Sequence, residues 1–377
     1  LEGTRESWSQ VCDRTLKGLV ELGKLTQDEA VLLEQMQRNL KALPSGRWLW
    51  VGGTNWLAQP KNFSGAYNCT STNVIDWSAF GLMMDLAMMG CGTGAILEPK
   101  YINQLPVIRN RLKVTVRGDI GKTIANERRE FTETNIEGNR ATIYVGDSRQ
   151  GWVQSYQNLL ELSTDERFSE EVEVIVDISD IRKAGEPLQG FGGMANPVKL
   201  PGLYQRCAAI LNKAVGRKLT SVECCLLIDE AAVTIVAGNI RRSAGIRQGI
   251  DTDNAFTDAK ANLWQQGEDG NWRIDPERDA LRMANHSRVF HHKPTLEECV
   301  NAVRKQYYSG EGAIQWAGEA VARSNRDLLS TKELKTEFLQ AYDRGEAKQW
   351  FHKRHPNLDE KELEHRLGRY GLNPCGN

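Results

Sequence analysis

Asn373-Pro374-Cys375-Gly376 stands near the end of this 377-residue chain and sets one thiol between a proline and a glycine. Proline fixes its own φ and glycine frees the following turn, so such a stretch can hold a sulfur stiffly at the tip of a cavity. A lone cysteine is also a common small core hydrophobe, and the residues alone leave both readings open. Three glycine-rich stretches could let backbone approach a ligand closely: Gly90-Cys91-Gly92-Thr93-Gly94, Gly190-Phe191-Gly192-Gly193 and Gly238-Asn239-Ile240-Arg241-Arg242-Ser243-Ala244-Gly245. Arg241 and Arg242 could fork onto phosphate oxygens or stand solvated on a surface. The first stretch follows a predicted helix rather than a strand, so it is not a dinucleotide fingerprint; a helix cap and a ligand loop both fit it. Val116-Arg117-Gly118-Asp119-Ile120-Gly121-Lys122-Thr123 imitates a phosphate-wrapping loop, but that loop needs glycine at 116, where valine stands. A surface hairpin is expected there instead.

The elements that must position these residues are those of a globular α/β protein. Hydrophobic residues make up 40% and charged residues 26%, an ordinary balance for a folded chain. The net charge of −1 gives no excess of cations with which to grip nucleic acid. No apolar run approaches the ~18 residues of a membrane span, and no leader pattern opens the chain, so a cytoplasmic protein is expected. The eight cysteines form no Cys-x-x-Cys pair and the six histidines no His-Glu-x-x-His pattern, so no metal site is expected and free thiols in a reducing compartment are. Leu1 is not methionine and no tail follows Cys375-Gly376-Asn377, so the chain reads as an internal piece of a longer protein.

Residues 1–45 read as a helical region, with Thr26-Gln27-Asp28-Glu29 as a capping box. Residues 46–99 read as the first part of a core: a strand at Arg47–Val51, a helix from Asp76 to Met89 with Asp76 as its N-cap, and a strand entered at Ala95-Ile96-Leu97. Residues 100–176 turn polar, with strands expected at Leu112–Val116, Ala141–Val145 and Val172–Val176 and a helix at Trp152–Leu162, as in an inserted unit. The core resumes over 177–377, with helices expected near 202–215, 220–237, 276–284, 295–308, 331–343 and 358–368.

Taken in order, Tyr67-Asn68-Cys69, the Gly90–Gly94 stretch, Gly146-Asp147-Ser148-Arg149-Gln150-Gly151-Trp152, Asp177-Ile178-Ser179-Asp180-Ile181-Arg182, Gly190–Gly193, Ala237–Ala244 and Asn373-Pro374-Cys375-Gly376 resemble the class II, cobalamin-dependent ribonucleoside-triphosphate reductases, especially the monomeric type. The resemblance implies part of a ten-stranded α/β barrel with a finger loop inside it. It implies adenosylcobalamin as the radical source, since the cofactor carries the difficult chemistry and the protein positions it. On this likeness Cys375 is the thiyl residue, Asn373 bonds the substrate ribose, and Cys69 is one of two reducing thiols. Asn68, Gly92, Gly192 and Gly193 border the substrate, a ribonucleoside triphosphate. Gly238, Asn239, Arg241, Arg242 and Ser243 form the loop that reports a deoxynucleotide effector held by the 100–176 insertion. A thioredoxin-like dithiol reopens the disulfide.

Three departures accompany the likeness. Asn377 stands where the family has a glutamate, and the second reducing thiol and the shuttle cysteines fall beyond Asn377. Truncation or an intein junction would each account for this, and the piece alone is not expected to turn over. The alternatives are a non-catalytic, nucleotide-binding precursor portion and a nucleotide hydrolase resting on Gly121-Lys122-Thr123.

Overall fold

The computed structural model describes residues 5–188, 194–235, 244–309 and 311–374. Its first helices are set by local capping. Ser7 and Gln10 close a reciprocal box on Trp8–Glu21, and Thr26 and Glu29 do the same on Gln27–Arg38. Residues 47–51, expected as a strand, are instead the helix Gly46–Val51. The aromatic run favours a strand by propensity, but Ser45 caps the Trp48 amide, and the Trp48 indole donates to Thr15 O at 3.1 Å on the first helix. Arg14 of that helix donates to Leu49 O at 2.9 Å and Gly52 O at 2.5 Å, so tertiary contact overrides propensity.

The central sheet is five-stranded and wholly parallel, in the order β1-β2-β7-β10-β11. Its strands are β1 (Cys69–Asn73), β2 (Gly92–Ile96), β7 (Gly245–Ile250), β10 (Ala284–Phe290) and β11 (Ala313–Trp316). The sheet does not close into a barrel among the described residues. Parallel strands need cover on both faces. On one face, Ala95 and Leu97 pack with the helices Trp77–Met88 and Ser221–Thr234, and Phe256 lies on Gly249. Here the fully buried Arg247 of β7 pairs with Asp229 at 2.7 Å. On the other face Ile96 and Val289 meet residues of the later helices Ala317–Ser324, Lys332–Asp343, Ala347–Arg354 and Glu360–Leu367.

Residues 276–284, expected as a helix, are a 3-10 turn at Asp279–Met283 running into β10. The strand Ala-Asn-His-Ser-Arg-Val-Phe hides its nature because its middle is polar. His286 and Arg288 are nevertheless buried, on the same face as Arg247.

The second sheet falls within the segment expected as an insertion. Its order is β3-β6-β5-β4, from β3 (Arg111–Arg117), β4 (Glu133–Glu137), β5 (Arg140–Tyr144) and β6 (Glu171–Asp177). The three expected strands coincide with β3, β5 and β6, whose buried residues Leu112, Ile143 and Val174 face the helices Arg149–Leu162 and Leu200–Lys213. One apolar cluster joins this sheet to the face of the central one that carries Ala95 and Leu97, so the two share a core. A short hairpin, β8 (Trp264–Gln266) with β9 (Trp272–Ile274), completes the strands.

Candidate functional site

The chain from Tyr370 to Pro374 runs along the second face of the central sheet against β1 and β2. It starts beside Ile96 at the carboxyl end of β2 and reaches Gly92 at its beginning, antiparallel to the strands. Two side chains grip it, one from β7 and one from β11, with β10 between those strands. The Gln248 side-chain oxygen accepts from the Leu372 amide at 2.7 Å, and Gln315 donates to the Tyr370 carbonyl at 2.5 Å. Gln248 also bonds to Gln315, which fixes both amides.

The glycines explain how a segment can lie so close to a strand. A methyl group on Gly92 would stand 2.5 Å from Pro374 Cγ and 3.2 Å from Cys69 Sγ. One on Gly94 would overlap the Leu372 carbonyl, and one on Gly371 would overlap the Ser71 hydroxyl. Gly92 and Gly94 are therefore strand residues facing the segment, and Gly90, at φ +72°, ends the preceding helix. Cys69 pairs in register with Gly92 and is not among the free cysteines; its sulfur is disulfide-bonded.

The root of the segment is a buried polar network. The Tyr370 hydroxyl donates to Glu98 at 2.8 Å; the same carboxylate meets His291 Nε2 at 2.9 Å, and His291 Nδ1 meets the Tyr342 hydroxyl at 2.9 Å. Burial, and next the Glu98 charge, hold both phenols protonated far above the usual tyrosine range. At the other end, Arg47 donates to Asn68 Oδ1 at 3.0 Å, to Met89 O at 2.6 Å and to Gly90 O at 2.7 Å. One guanidinium thus ties the Asn68 loop to the glycine turn.

Of the expected site residues, Asn68, Cys69, Gly92 and Asn373 come together here. Cys375, Gly192, Gly193, Gly238, Asn239, Arg241, Arg242 and Ser243 lie outside the described residues. Their described neighbours are placed: Ala244 O accepts from Thr93 N at 2.8 Å beside the cradle, and Pro187 and Met194 form an antiparallel bridge. Arg47, Glu98, Gln248, His291, Gln315 and Tyr370 escape sequence reasoning, because each acts through a partner far away in the chain.

Two of the motifs also meet. Arg182 donates to the buried Asp147 at 3.0 Å, and Arg128 bridges Asp147 and Glu186 at 3.4 and 2.8 Å. Hydrogen bonds from Arg128 hold the Glu186 carboxyl down at about 2. Arg149 pairs with Asp85 and fastens the second sheet's helix to Trp77–Met88. The loop after β3 is neither a phosphate cradle nor a hairpin. Its Gly121 and Thr123 amides are already bonded to Ile181 O and Ser179 O at 2.6 and 3.1 Å, only a three-residue 3-10 turn follows, and β3 pairs with β6 in parallel.

Residues 115–210 match the family model described as B12-dependent ribonucleotide reductase, insertion domain. The chain is 30% identical over 298 residues to an adenosylcobalamin-dependent ribonucleoside-triphosphate reductase of Levilactobacillus brevis, covering 68% of this chain and 40% of the relative. It is 24% identical to the enzyme of the same name from Lacticaseibacillus paracasei, over 98% of this chain and 49% of the relative. A probable reductase of this kind from Dictyostelium discoideum is 26% identical over 77% of the chain and 37% of the relative. The chain therefore spans less than half the length of these curated relatives. The crystal structure of a B-12 dependent (class II) ribonucleotide reductase superposes with a TM-score of 0.57 at 20% identity, covering 76% of this chain and 43% of that one, which is a likeness of fold.

Proposed function

We propose that this chain, a relative of the adenosylcobalamin-dependent ribonucleoside-triphosphate reductases, is the part of such an enzyme that seats the sugar-attacking thiol and holds the effector-binding insertion. The observation that carries the proposal is the seating of Leu372 and Pro374 on Gly94 and Gly92, with Cys69 Sγ beside the same cradle. Cys375 is the next residue along the chain.

The cradle is filled by the chain's own segment, so it gives a corrin no seat, and the described residues fit the thiol end of the chemistry. Adenosylcobalamin supplies a carbon-centred radical when bound. In this reading the Cys375 sulfur takes the substrate's 3′-hydrogen and later returns it. Asn373 and Asn68 orient the ribose, with Gly192 and Gly193 bordering it. The 2′-hydroxyl leaves as water, and Cys69, once reduced from the disulfide-bonded state seen here, and a second thiol supply two electrons as they close to a disulfide, which a thioredoxin-like dithiol reopens. The second sheet holds a deoxynucleotide effector, and the loop with Gly238, Asn239, Arg241, Arg242 and Ser243 relays its identity to the substrate base. The protein is a monomer on this view, because the insertion stands in for a partner subunit. No helix among the described residues is long and apolar enough to cross a membrane, and a cytoplasmic site of action is proposed.

The test joins this chain to the remainder that its relatives have and supplies adenosylcobalamin, a ribonucleoside triphosphate and a dithiol. Deoxynucleotide should form together with a coupled cobalt(II)–thiyl resonance, and Cys375→Ser should abolish both. Turnover that survives Cys375→Ser overturns the reading. The chain tested alone separates the second reading, a nucleotide-binding portion without turnover: deoxynucleotide formed by the 377-residue chain by itself overturns that reading.

A further inference from the structure

A cavity of about 710 Å³ opens on the other face of the central sheet, bounded by β10, the start of β8 and the helix Leu296–Ser309. Its volume is that of a small-molecule recess. Five cationic side chains line it, Lys260, Arg282, Arg288, Arg304 and Lys305, against the two carboxylates Asp258 and Glu311. A net positive lining in a chain of net charge −1 is a local concentration of charge.

Ion pairing uses part of this charge. Lys260 holds Glu311 at 2.8 Å, Lys305 holds Asp258 at 3.1 Å, and Arg282 turns to Asp279 at 2.8 Å. Arg288 and Arg304 have no carboxylate partner among the described residues. Arg288 is only 6% exposed, and its guanidinium reaches the carbonyls of Ala302, Gly312 and Thr257 at 3.2–3.4 Å. The Asp258 charge acts on Arg288 without an ion pair forming between them, so this buried guanidinium, bonded only at long range to carbonyls, keeps donors for an anion. His286, 5% exposed, lines the same cavity, and its Nε2 has no hydrogen-bond partner. The rim carries two planar rings largely open to solvent, Trp264 at 55% and Tyr308 at 82%.

We propose that this cavity binds a nucleoside polyphosphate, with phosphate oxygens on Arg288 and Arg304 and the base against Trp264. The site lies across the sheet from the glycine cradle and does not depend on the reductase reading. Calorimetry on the 377-residue chain tests it, with ATP and inorganic tripolyphosphate as separate probes. Both should bind, ATP more tightly, and ATP should quench Trp264 emission. Arg304→Gln, a surface change, should weaken both probes roughly tenfold by removing a charged fork. Trp264→Ala should weaken ATP roughly fivefold and leave tripolyphosphate unchanged, since it removes only ring stacking. A nucleotide bound elsewhere, as in the second sheet, would be insensitive to both changes. Binding of neither probe, or affinities unmoved by Arg304→Gln, overturns the site; equal affinities unmoved by Trp264→Ala overturn the nucleotide assignment. In the reductase assay both variants should turn over at the wild-type rate without added effector, so failure here and failure there are told apart.

Discussion

The Leu372 amide is held by the side-chain oxygen of Gln248 at 2.7 Å, across 124 residues of chain. The Gln315 amide grips the preceding Tyr370 carbonyl, so two strands of one sheet measure out the position of the segment before Asn373.

Gln248→Leu keeps the volume and removes both polar groups. The Leu372 amide then loses its partner in a half-buried position, which should cost roughly 1–3 kcal/mol. Urea denaturation should show the loss, and hydrogen exchange should show it concentrated at residues 371–374. An unchanged exchange rate there would contradict the grip.

Gly94→Ala should unseat the same segment by steric means, since the new methyl overlaps Leu372 O. A destabilisation of roughly 1–3 kcal/mol is expected from overpacking, with any turnover of the joined protein falling sharply. Gly46→Ala is the control, because nothing lies within 4 Å of the added carbon. Equal denaturation midpoints for the two variants would refute the cradle.

Asp229→Ala strands Arg247, whose side chain is 0% exposed and would keep only the Thr93 and Ile246 carbonyls, at 2.9 and 3.1 Å. An unpaired buried guanidinium should cost about 3–5 kcal/mol, read as a lowered thermal midpoint. A loss below ~1 kcal/mol would mean water reaches the pair.

Acid should destabilise the fold partly through His286. Burial, with the Lys260 and Arg247 cations nearby, holds its imidazole down at about 3, against 6.5 when exposed. Between those values the unfolded chain binds a proton that the folded chain refuses, so stability falls as pH drops from 6.5 towards 3. His286→Gln should flatten that part of the urea-midpoint profile while leaving its slope above pH 7 unchanged. A profile parallel to wild type would assign the acid limb to carboxylates.

Local signals were legible in the chain. Thr26 and Asp76 each cap a helix through an amide three residues on, and three residues fit in any reading window. Alternation in β6 shows because its Val172, Val174 and Val176 face one apolar core. The misreadings share a cause. Trp48 sits in a helix because of Thr15, and β10 is a central strand although His286 and Arg288 look like surface residues. Of the site, Gly92 and Gly94 stood out as glycines, but their reason, Pro374 and Leu372, lies about 280 residues away, as the paired numbers show. Glu98 and His291 carry no local mark at all.

Glu98 and Tyr370 are 272 residues apart, and that separation sets a timetable for synthesis. At elongation rates of about 5–20 residues per second, the carboxylate waits on the order of 15–50 s before its phenol leaves the ribosome. From the emergence of β11, which carries Gln315, until that of Tyr370, the groove floored by Gly92 and Gly94 stands without its segment. A nascent chain in this state offers a passing extended peptide the place meant for its own residues 370–374, and the pace of translation over that stretch decides which arrives first.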